Sequence, residues 1–139
     1  MNSWWKWWQR VAGPPHLESG RKGEEAARKH LRTLGWKFLA ANYRGRHGEL
    51  DLVFRDGECL VFVEVKARAS NSWTRPAAAV TQKKQRRISA TALDYLAAVG
   101  RPRVKFRFDI VEVVLEGGSI IEVRHLINAF PLHRNYSYV

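Results

Sequence analysis

Acidic side chains that could hold a metal ion are concentrated in the segment from Gly48 to Arg68, GELDLVFRDGECLVFVEVKAR. Asp51 lies in its first half, and Glu64 and Lys66 are two residues apart in its second half. Carboxylate oxygens are the ligands that hard cations such as Mg²⁺ prefer. If these side chains converge, they predict a site for a divalent metal ion.

A hairpin is the element that would bring them together. Residues 49–55 and 58–67 alternate as strands do, and the Asp56-Gly57 pair between them is a strong signal for a two-residue turn. This turn would place Arg55 opposite Glu58, and that choice defines the register of every other pair in the hairpin.

The predicted register places the charged residues on one face, because side chains alternate with period two. Asp51 and Glu64 become diagonal neighbours, with backbones roughly 7–8 Å apart, a gap that their side chains can close around a shared ion. Glu49 and Lys66 emerge on the same face.

The alternative is a solvated hairpin face in which Lys66 neutralises Glu64. The opposite face is also apolar, however, with Val61, Val63 and Val65. A strand that is apolar on that face as well is expected to be buried on both sides, where carboxylates are costly unless they are paired or bind a metal. The pattern therefore favours the metal site.

The order of an Asp on one strand and Glu-X-Lys on the next, here Asp51 and Glu64-Val65-Lys66, resembles the PD-(D/E)XK nucleases of restriction-endonuclease-like fold. A larger set of motifs resembles the YraN family of small bacterial proteins, over residues 20–130: Gly23-Glu24, GELDL at 48–52, FVEVKAR at 62–68 and Lys84-Gln85-Arg86-Arg87. The resemblance implies an α/β fold with a restriction-endonuclease-like core, a five-stranded mixed sheet flanked by helices.

The activity that this resemblance implies is Mg²⁺-dependent hydrolysis of phosphodiester bonds in DNA, with Mn²⁺ as a surrogate. Asp51, Glu64 and the backbone carbonyl of Val65 would hold the metal. Lys66 would orient the attacking water and stabilise charge on the transition state. Glu49 and Glu24 would complete the acidic shell.

The charge balance independently favours a polyanionic partner. The 139 residues include 24 Lys plus Arg against 13 Asp plus Glu, a net charge of +11. Basic and aromatic side chains near the predicted site are candidates for contacts with phosphates or bases: Arg46, Arg68, Trp73, Lys83, Lys84, Arg86 and Arg87. Lys84, on the inward side of a helix, is the candidate nearest to the scissile phosphate.

The remaining elements follow from periodicity and stop signals. Besides the hairpin, they are a helix at 19–34, a strand at 36–43, a helix at 79–99 and strands at 104–115 and 120–127. We predict three regions: a Trp-rich extension (1–17), a nuclease-like domain (18–130) and a tail (131–139). The lone Cys59 and the lack of a signal peptide or a long apolar run favour a cytoplasmic protein without integral membrane association.

Several alternatives stay open at this level. A chain this short has no separate sequence-reading domain, so structure-selective cutting of branched or flapped DNA is expected. Its size and motifs resemble archaeal Holliday-junction resolvases, which implies a homodimer. A non-catalytic nucleic-acid-binding module on the same scaffold is the main alternative, and a Trp-rich anchor to a membrane or partner is another. RNA also stays open, because no residue here identifies a 2′-hydroxyl.

Overall fold

Two helices and five strands make up residues 18–70 and 80–138, the part of the chain that the computed structural model describes. They are α1 Glu18–Thr33, β1 Lys37–Arg44, β2 Glu49–Asp56, β3 Cys59–Ala69, α2 Gln82–Ala98, β4 Lys105–Glu116 and β5 Ser119–Phe130. Trp73 and the Trp-rich N-terminal segment lie outside the described residues. Neither α1 nor α2 is long and apolar enough to cross a membrane.

The five strands form one mixed sheet in the order β1-β2-β3-β4-β5. Neighbouring strands are antiparallel except for β3 and β4, which are parallel. A parallel connection needs a crossover, and α2 provides it between β3 and β4. The α/β fold and its mixed sheet are as predicted, and they are consistent with a restriction-endonuclease-like core.

The two helices cover opposite faces of the sheet. Ala27 and Leu31 of α1 pack in one apolar cluster with Val61 and Val63, while Ile88 and other residues of α2 pack in a second cluster on the other face. Consequently the middle of β3 is buried on both sides, as its apolar pattern predicts.

The hairpin register differs from the predicted one. Asp56 pairs with Cys59, so the two-residue loop is Gly57-Glu58, and Arg55 pairs with Leu60. Gly57 occupies the first loop position with a φ of 59°, which glycine adopts without strain. The predicted pairing of Arg55 with Glu58 is wrong by two residues. A shift of two residues preserves the alternation, so Val53, Leu60 and Phe62 share one face as predicted. Leu50 packs in the same cluster, although alternation predicts the opposite face for it.

The C-terminal tail, for which the sequence has no clear pattern, packs against the domain. The backbone N–H of His133 donates to Ser89 Oγ of α2 at 3.0 Å. Leu132 and Tyr138 contact the apolar cluster beneath α2. The tail therefore extends the α2 face of the molecule beyond β5.

Candidate metal centre

Two acids lie next to each other just beyond the end of the β2–β3 ladder. The paired residues end at Leu52 and Val63, and Asp51 and Glu64 are the next residue on each strand. The N–H of Val65 donates to Asp51 Oδ2 at 2.8 Å, which fixes the direction of that carboxylate. The two carboxyl groups thus interact directly, and the register that predicted them as diagonal neighbours is corrected.

Burial and like charge act together on this acid pair. Burial raises the pKa of Asp51 well above its ordinary range, and the adjacent Glu64 carboxyl raises it further, against a smaller lowering by the Val65 hydrogen bond. The Glu64 side chain is only 7 % exposed. A cation between the two groups would relieve their repulsion, so the pair has the electrostatic character of a metal site.

Two lysines lie beside the acids. Lys84 Nζ is 2.6 Å from Glu64 Oε1. Burial acts to lower the pKa of Lys84, but the Glu64 carboxylate outweighs it and the net pKa is raised. Burial, followed by the nearby Lys84 ammonium, lowers the pKa of Lys66. One lysine is therefore held in its charged form, while the other is brought closer to its neutral form.

The start of α2 positions Lys84. Thr81 is the N-cap, and its hydroxyl accepts a hydrogen bond from the Lys84 N–H at 3.2 Å. This cap begins the helix where its first turn faces the acid pair across the end of the sheet. The predicted inward direction of Lys84 is confirmed by its contact with Glu64.

A cleft of about 490 Å³ opens between the acid pair and the first turns of α2. Its lining contains both acids, basic residues of α2 and the loop before β2: His47, Gly48, Glu49, Asp51, Glu64, Thr81, Lys83, Lys84, Arg87 and Ile88. His47 is the residue that sequence reasoning left outside the site. Its position next to the Gly48-Glu49 motif is the signal that could have included it.

The loop that carries His47 is clamped to α2. Asp94 accepts hydrogen bonds from the Arg46 N–H at 3.0 Å and from the Arg46 guanidinium at 3.1 Å. Gly45 approaches so closely that a Cβ there would lie 2.8 Å from Asp94 Oδ2. Arg46 is largely exposed but has this acidic partner, and its predicted contact with nucleic acid stays a prediction.

The accessory acids occupy different positions. Glu49 lines the cleft and forms an ion pair with Arg44, with Nε and Oε2 3.6 Å apart. Glu24 belongs to α1, on the other face of the sheet, and does not line the cleft. Its charge nevertheless contributes to the raised pKa of Asp51. Glu24 is therefore close enough for an electrostatic role.

Arg68 has a structural partner that the sequence did not reveal. Its Nε lies 2.7 Å from Oε2 of Glu112, a β4 acid that is only 1 % exposed. Arg124 Nη1 lies 3.0 Å from the other oxygen of the same carboxylate. Because the guanidinium of Arg68 already neutralises a buried acid, its predicted phosphate contact has less support than those of Lys83, Arg86 and Arg87, which are exposed on α2.

The donor set fits Mg²⁺ better than a closed transition-metal site. Among residues 18–70 and 80–138, no three His, Cys, Asp or Glu side chains are grouped as metal ligands. Mg²⁺ usually keeps several waters and takes one or two protein carboxylates, whereas structural Zn²⁺ takes four protein ligands. Asp51 and Glu64, with the carbonyl of Val65 expected beside them, are the residues that would hold the ion.

Comparison with known proteins places this chain in a family. The family model described as "Uncharacterised protein family UPF0102" matches residues 23–113, about two thirds of the chain. The chain belongs to UPF0102. This confirms the predicted resemblance to the YraN family. The UPF0102 match includes the cleft acids and the basic start of α2, but neither β5 nor the tail.

Relatives are similar over most of their length. A UPF0102 protein of Pelobacter propionicus is 42% identical over 124 residues, 88% of this chain and 89% of its own. One of Rhodococcus jostii is 39% identical over 83% of this chain and 98% of its own. One of Symbiobacterium thermophilum is 43% identical, over 80% and 94%. The names of these three proteins state no activity.

Proposed function

We propose that this UPF0102 protein is a Mg²⁺-dependent endonuclease that hydrolyses phosphodiester bonds in DNA. The observation that supports this most is the placement of Asp51 next to Glu64 in a cleft whose other wall is the basic start of α2. Acids that would bind a cation and lysines that would bind a phosphate then face the same space.

The acid pair would bind the ion, and two backbone groups of Val65 would contribute to the site. The Val65 N–H orients the Asp51 carboxylate, and its carbonyl would add an oxygen ligand. When bound, the ion would polarise a phosphoryl oxygen and lower the pKa of a coordinated water. Glu49 would orient water from the cleft wall, and Glu24 would add negative charge from α1.

The two lysines would have different roles: Lys66 would act on the attacking water, and Lys84 on the scissile phosphate. The lowered pKa of Lys66 brings its amine closer to the form that accepts a proton from water, and its charged form would stabilise the transition state. Lys84 carries a stable charge beside Glu64 and would steady the scissile phosphate.

The substrate class follows from the surroundings of the cleft. Lys83, Arg86 and Arg87 are exposed on the first turns of α2, where they would bind phosphates on either side of the cut. The net charge of +11 favours the same partner. We propose branched or flapped DNA as the preferred substrate. Symmetric cutting of a four-way junction would additionally require a homodimer.

The direct test is cleavage of labelled duplex, single-stranded, flapped and four-way-junction DNA with Mg²⁺ or Mn²⁺. Wild type should cut, whereas Asp51→Asn and Lys66→Ala should lose at least roughly a hundredfold in rate while keeping DNA affinity. Metal-dependent cutting that survives in Asp51→Asn would argue against this site. The same cleavage assay with RNA substrates of the same shapes tests whether the protein cuts DNA, RNA or both.

A non-catalytic nucleic-acid-binding module is the second candidate, and the Lys84 contact favours it. Glu64 already has a cation 2.6 Å away, which can stabilise the buried acid without a metal. Such a module would bind DNA equally well with and without Mg²⁺, with affinity falling as salt rises. Strong binding with no cutting across the substrate set would support it.

A further inference from the structure

A second pocket adjoins the cleft on the outer side of α2. Its cavity is about 260 Å³, and its lining joins the His47 loop, α2 and the C-terminal tail: His47, Lys83, Arg86, Arg87, Ala90 and Tyr136. His47, Lys83 and Arg87 also line the larger cleft. The two spaces are therefore neighbours with a shared wall, so a ligand in one would lie beside a ligand in the other.

The lining has the chemistry of a nucleotide site. Three of its residues are Lys or Arg, one is a tyrosine and none is acidic. Ammonium and guanidinium groups bind phosphate, and an aromatic ring stacks on a nucleobase of any sequence. A ligand that carries both a phosphate and an aromatic base would use the basic residues and the tyrosine together.

The tyrosine is held in place by the tail. The Tyr136 N–H donates to the His133 carbonyl at 2.9 Å, and the rings of these two residues are 6.2 Å apart. The His133 N–H in turn donates to Ser89 Oγ of α2. Beyond the pocket, the Tyr138 hydroxyl donates to the Pro102 carbonyl. The backbone of Tyr136 is thus fixed on both sides, which lowers the ordering entropy that stacking on this residue would cost.

We propose that this pocket binds one unpaired nucleotide next to the scissile phosphate, with its base on Tyr136 and its phosphate on Lys83 and Arg86. The inference rests on the proposed function and specifies its substrate. A base inside a duplex is already stacked on its neighbours and cannot enter a side pocket without being extruded. The pocket would therefore select DNA that has an unpaired nucleotide at a branch or flap.

The test compares two flapped DNAs that differ only in the unpaired nucleotide at the branch, which is either a normal nucleotide or an abasic one with the same phosphate. Affinities are measured by fluorescence anisotropy without metal, so no strand is cut. Wild type should prefer the normal flap by roughly fivefold to a hundredfold, the range for one base stacked on an aromatic side chain. Tyr136→Ala should bind both flaps equally, and Tyr136→Phe should keep the preference.

Matched variants separate stacking from other effects. Tyr138→Phe removes a tail hydrogen bond without touching the pocket, so its preference should equal that of wild type. Lys83→Ala should weaken both flaps by the same factor. Thermal melting of each variant establishes that it is folded, and Tyr136→Phe provides a test even if Tyr136→Ala is unstable.

Two results would overturn the inference: equal binding of both flaps by wild type, or a preference that persists in Tyr136→Ala. Absence of DNA binding by wild type would overturn it together with the proposed function. If wild type shows the preference but never cuts with metal, only the nuclease proposal fails and the nucleotide pocket stands. If wild type cuts but shows no preference, only the pocket fails.

Discussion

Lys84 Nζ lies 2.6 Å from Glu64 Oε1, so a helix lysine is the immediate cation partner of the acid that would bind the metal. Asp51, the other acid, accepts a hydrogen bond from the Val65 N–H. A divalent ion at the acid pair would compete with Lys84 for Glu64. Lys84 therefore has two roles that experiments can separate. It stabilises the buried Glu64 carboxylate in the folded protein, and it would bind the scissile phosphate.

Lys84→Met should make the folded protein depend on metal. Removing the ammonium leaves Glu64 buried without it, and because Lys84 is 39 % exposed we expect a loss of about 1–2 kcal/mol, less than for a fully buried pair. Mn²⁺ should then raise the melting temperature of the variant more than that of wild type, as measured by calorimetry.

Lys83→Met is the matched control, since this neighbouring lysine is exposed on the same helix turn. It should change neither stability nor the response to Mn²⁺. Equal shifts of melting temperature by Mn²⁺ in wild type and Lys84→Met would show that Lys84 and the metal do not compete.

Metal affinity should weaken as the pH falls from neutral toward the ordinary carboxyl range. The pKa of Asp51 is raised by burial and by Glu64, so its proton must leave before the ion binds. Isothermal titration with Mn²⁺ in buffers of different ionisation enthalpy should detect protons released on binding. Asp51→Asn should abolish both the binding and the release. A pH-independent affinity would contradict the assignment of Asp51 as a ligand.

Asp109 should make the fold sensitive to acid, away from the candidate metal centre. Burial acts to raise its pKa, but hydrogen bonds from His125, Asn128 and Arg107 outweigh it, so the folded-state pKa is lowered. A lowered pKa contributes stability above the unfolded value, near 4, and that contribution is lost as the pH falls through the folded value. Urea unfolding at several pH values measures it.

The matching variants are Asp109→Asn and Asp56→Asn. Asp109 is fully buried, so its variant should lose about 2–4 kcal/mol at neutral pH and show a flatter dependence below pH 4. Asp56 is 42 % exposed and contacts the same Arg107, so its variant should lose less than about 1 kcal/mol. Equal losses would mean that burial does not set the strength of this network.

Gly45→Ala should impair the cleft through the His47 loop. The added Cβ would lie 2.8 Å from Asp94 Oδ2 and 3.1 Å from Thr91 Cγ2, so the loop or Asp94 must shift and the hydrogen bond to the Arg46 N–H is strained. We expect DNA affinity to fall severalfold, measured by anisotropy, with a stability loss of about 1–2 kcal/mol.

Gly23→Ala is its control, because the new Cβ there meets Ala67 at an ordinary 3.4 Å and alanine favours the helix. Its stability should be unchanged or higher, with unaltered DNA affinity. If Gly45→Ala binds DNA like wild type, the position of this loop does not matter for the cleft.

The alternation of residues in β2 and β3 was sufficient to place Asp51, Glu64 and Lys66 on one face. It was insufficient to bring Asp51 next to Glu64, because a register shift of two residues preserves the alternation and Gly57 suits either turn. The pairing of Asp56 with Cys59 thus decided how close Asp51 lies to Glu64, which periodicity leaves open.

Long-range partners were not readable from local patterns. Arg68 looked like a free phosphate ligand until β4 brought Glu112 beside it. His47 looked like a solvated loop residue until Asp94 of α2 held its loop at the cleft. Tyr136 had no pattern around it, and its pocket exists because the tail folds back on α2.

By itself, the sequence determined the helices and strands, the faces of the hairpin, the basic charge and the motifs of the family. These depend on neighbours in the chain, through backbone periodicity and turn chemistry. Only the tertiary structure decided the interaction of Asp51 with Glu64, the contact of Lys84 with Glu64 and the pocket around Tyr136. These depend on how α2 and the tail pack against the sheet. There, contacts between residues far apart in the sequence compensate for the cost of burying charged groups.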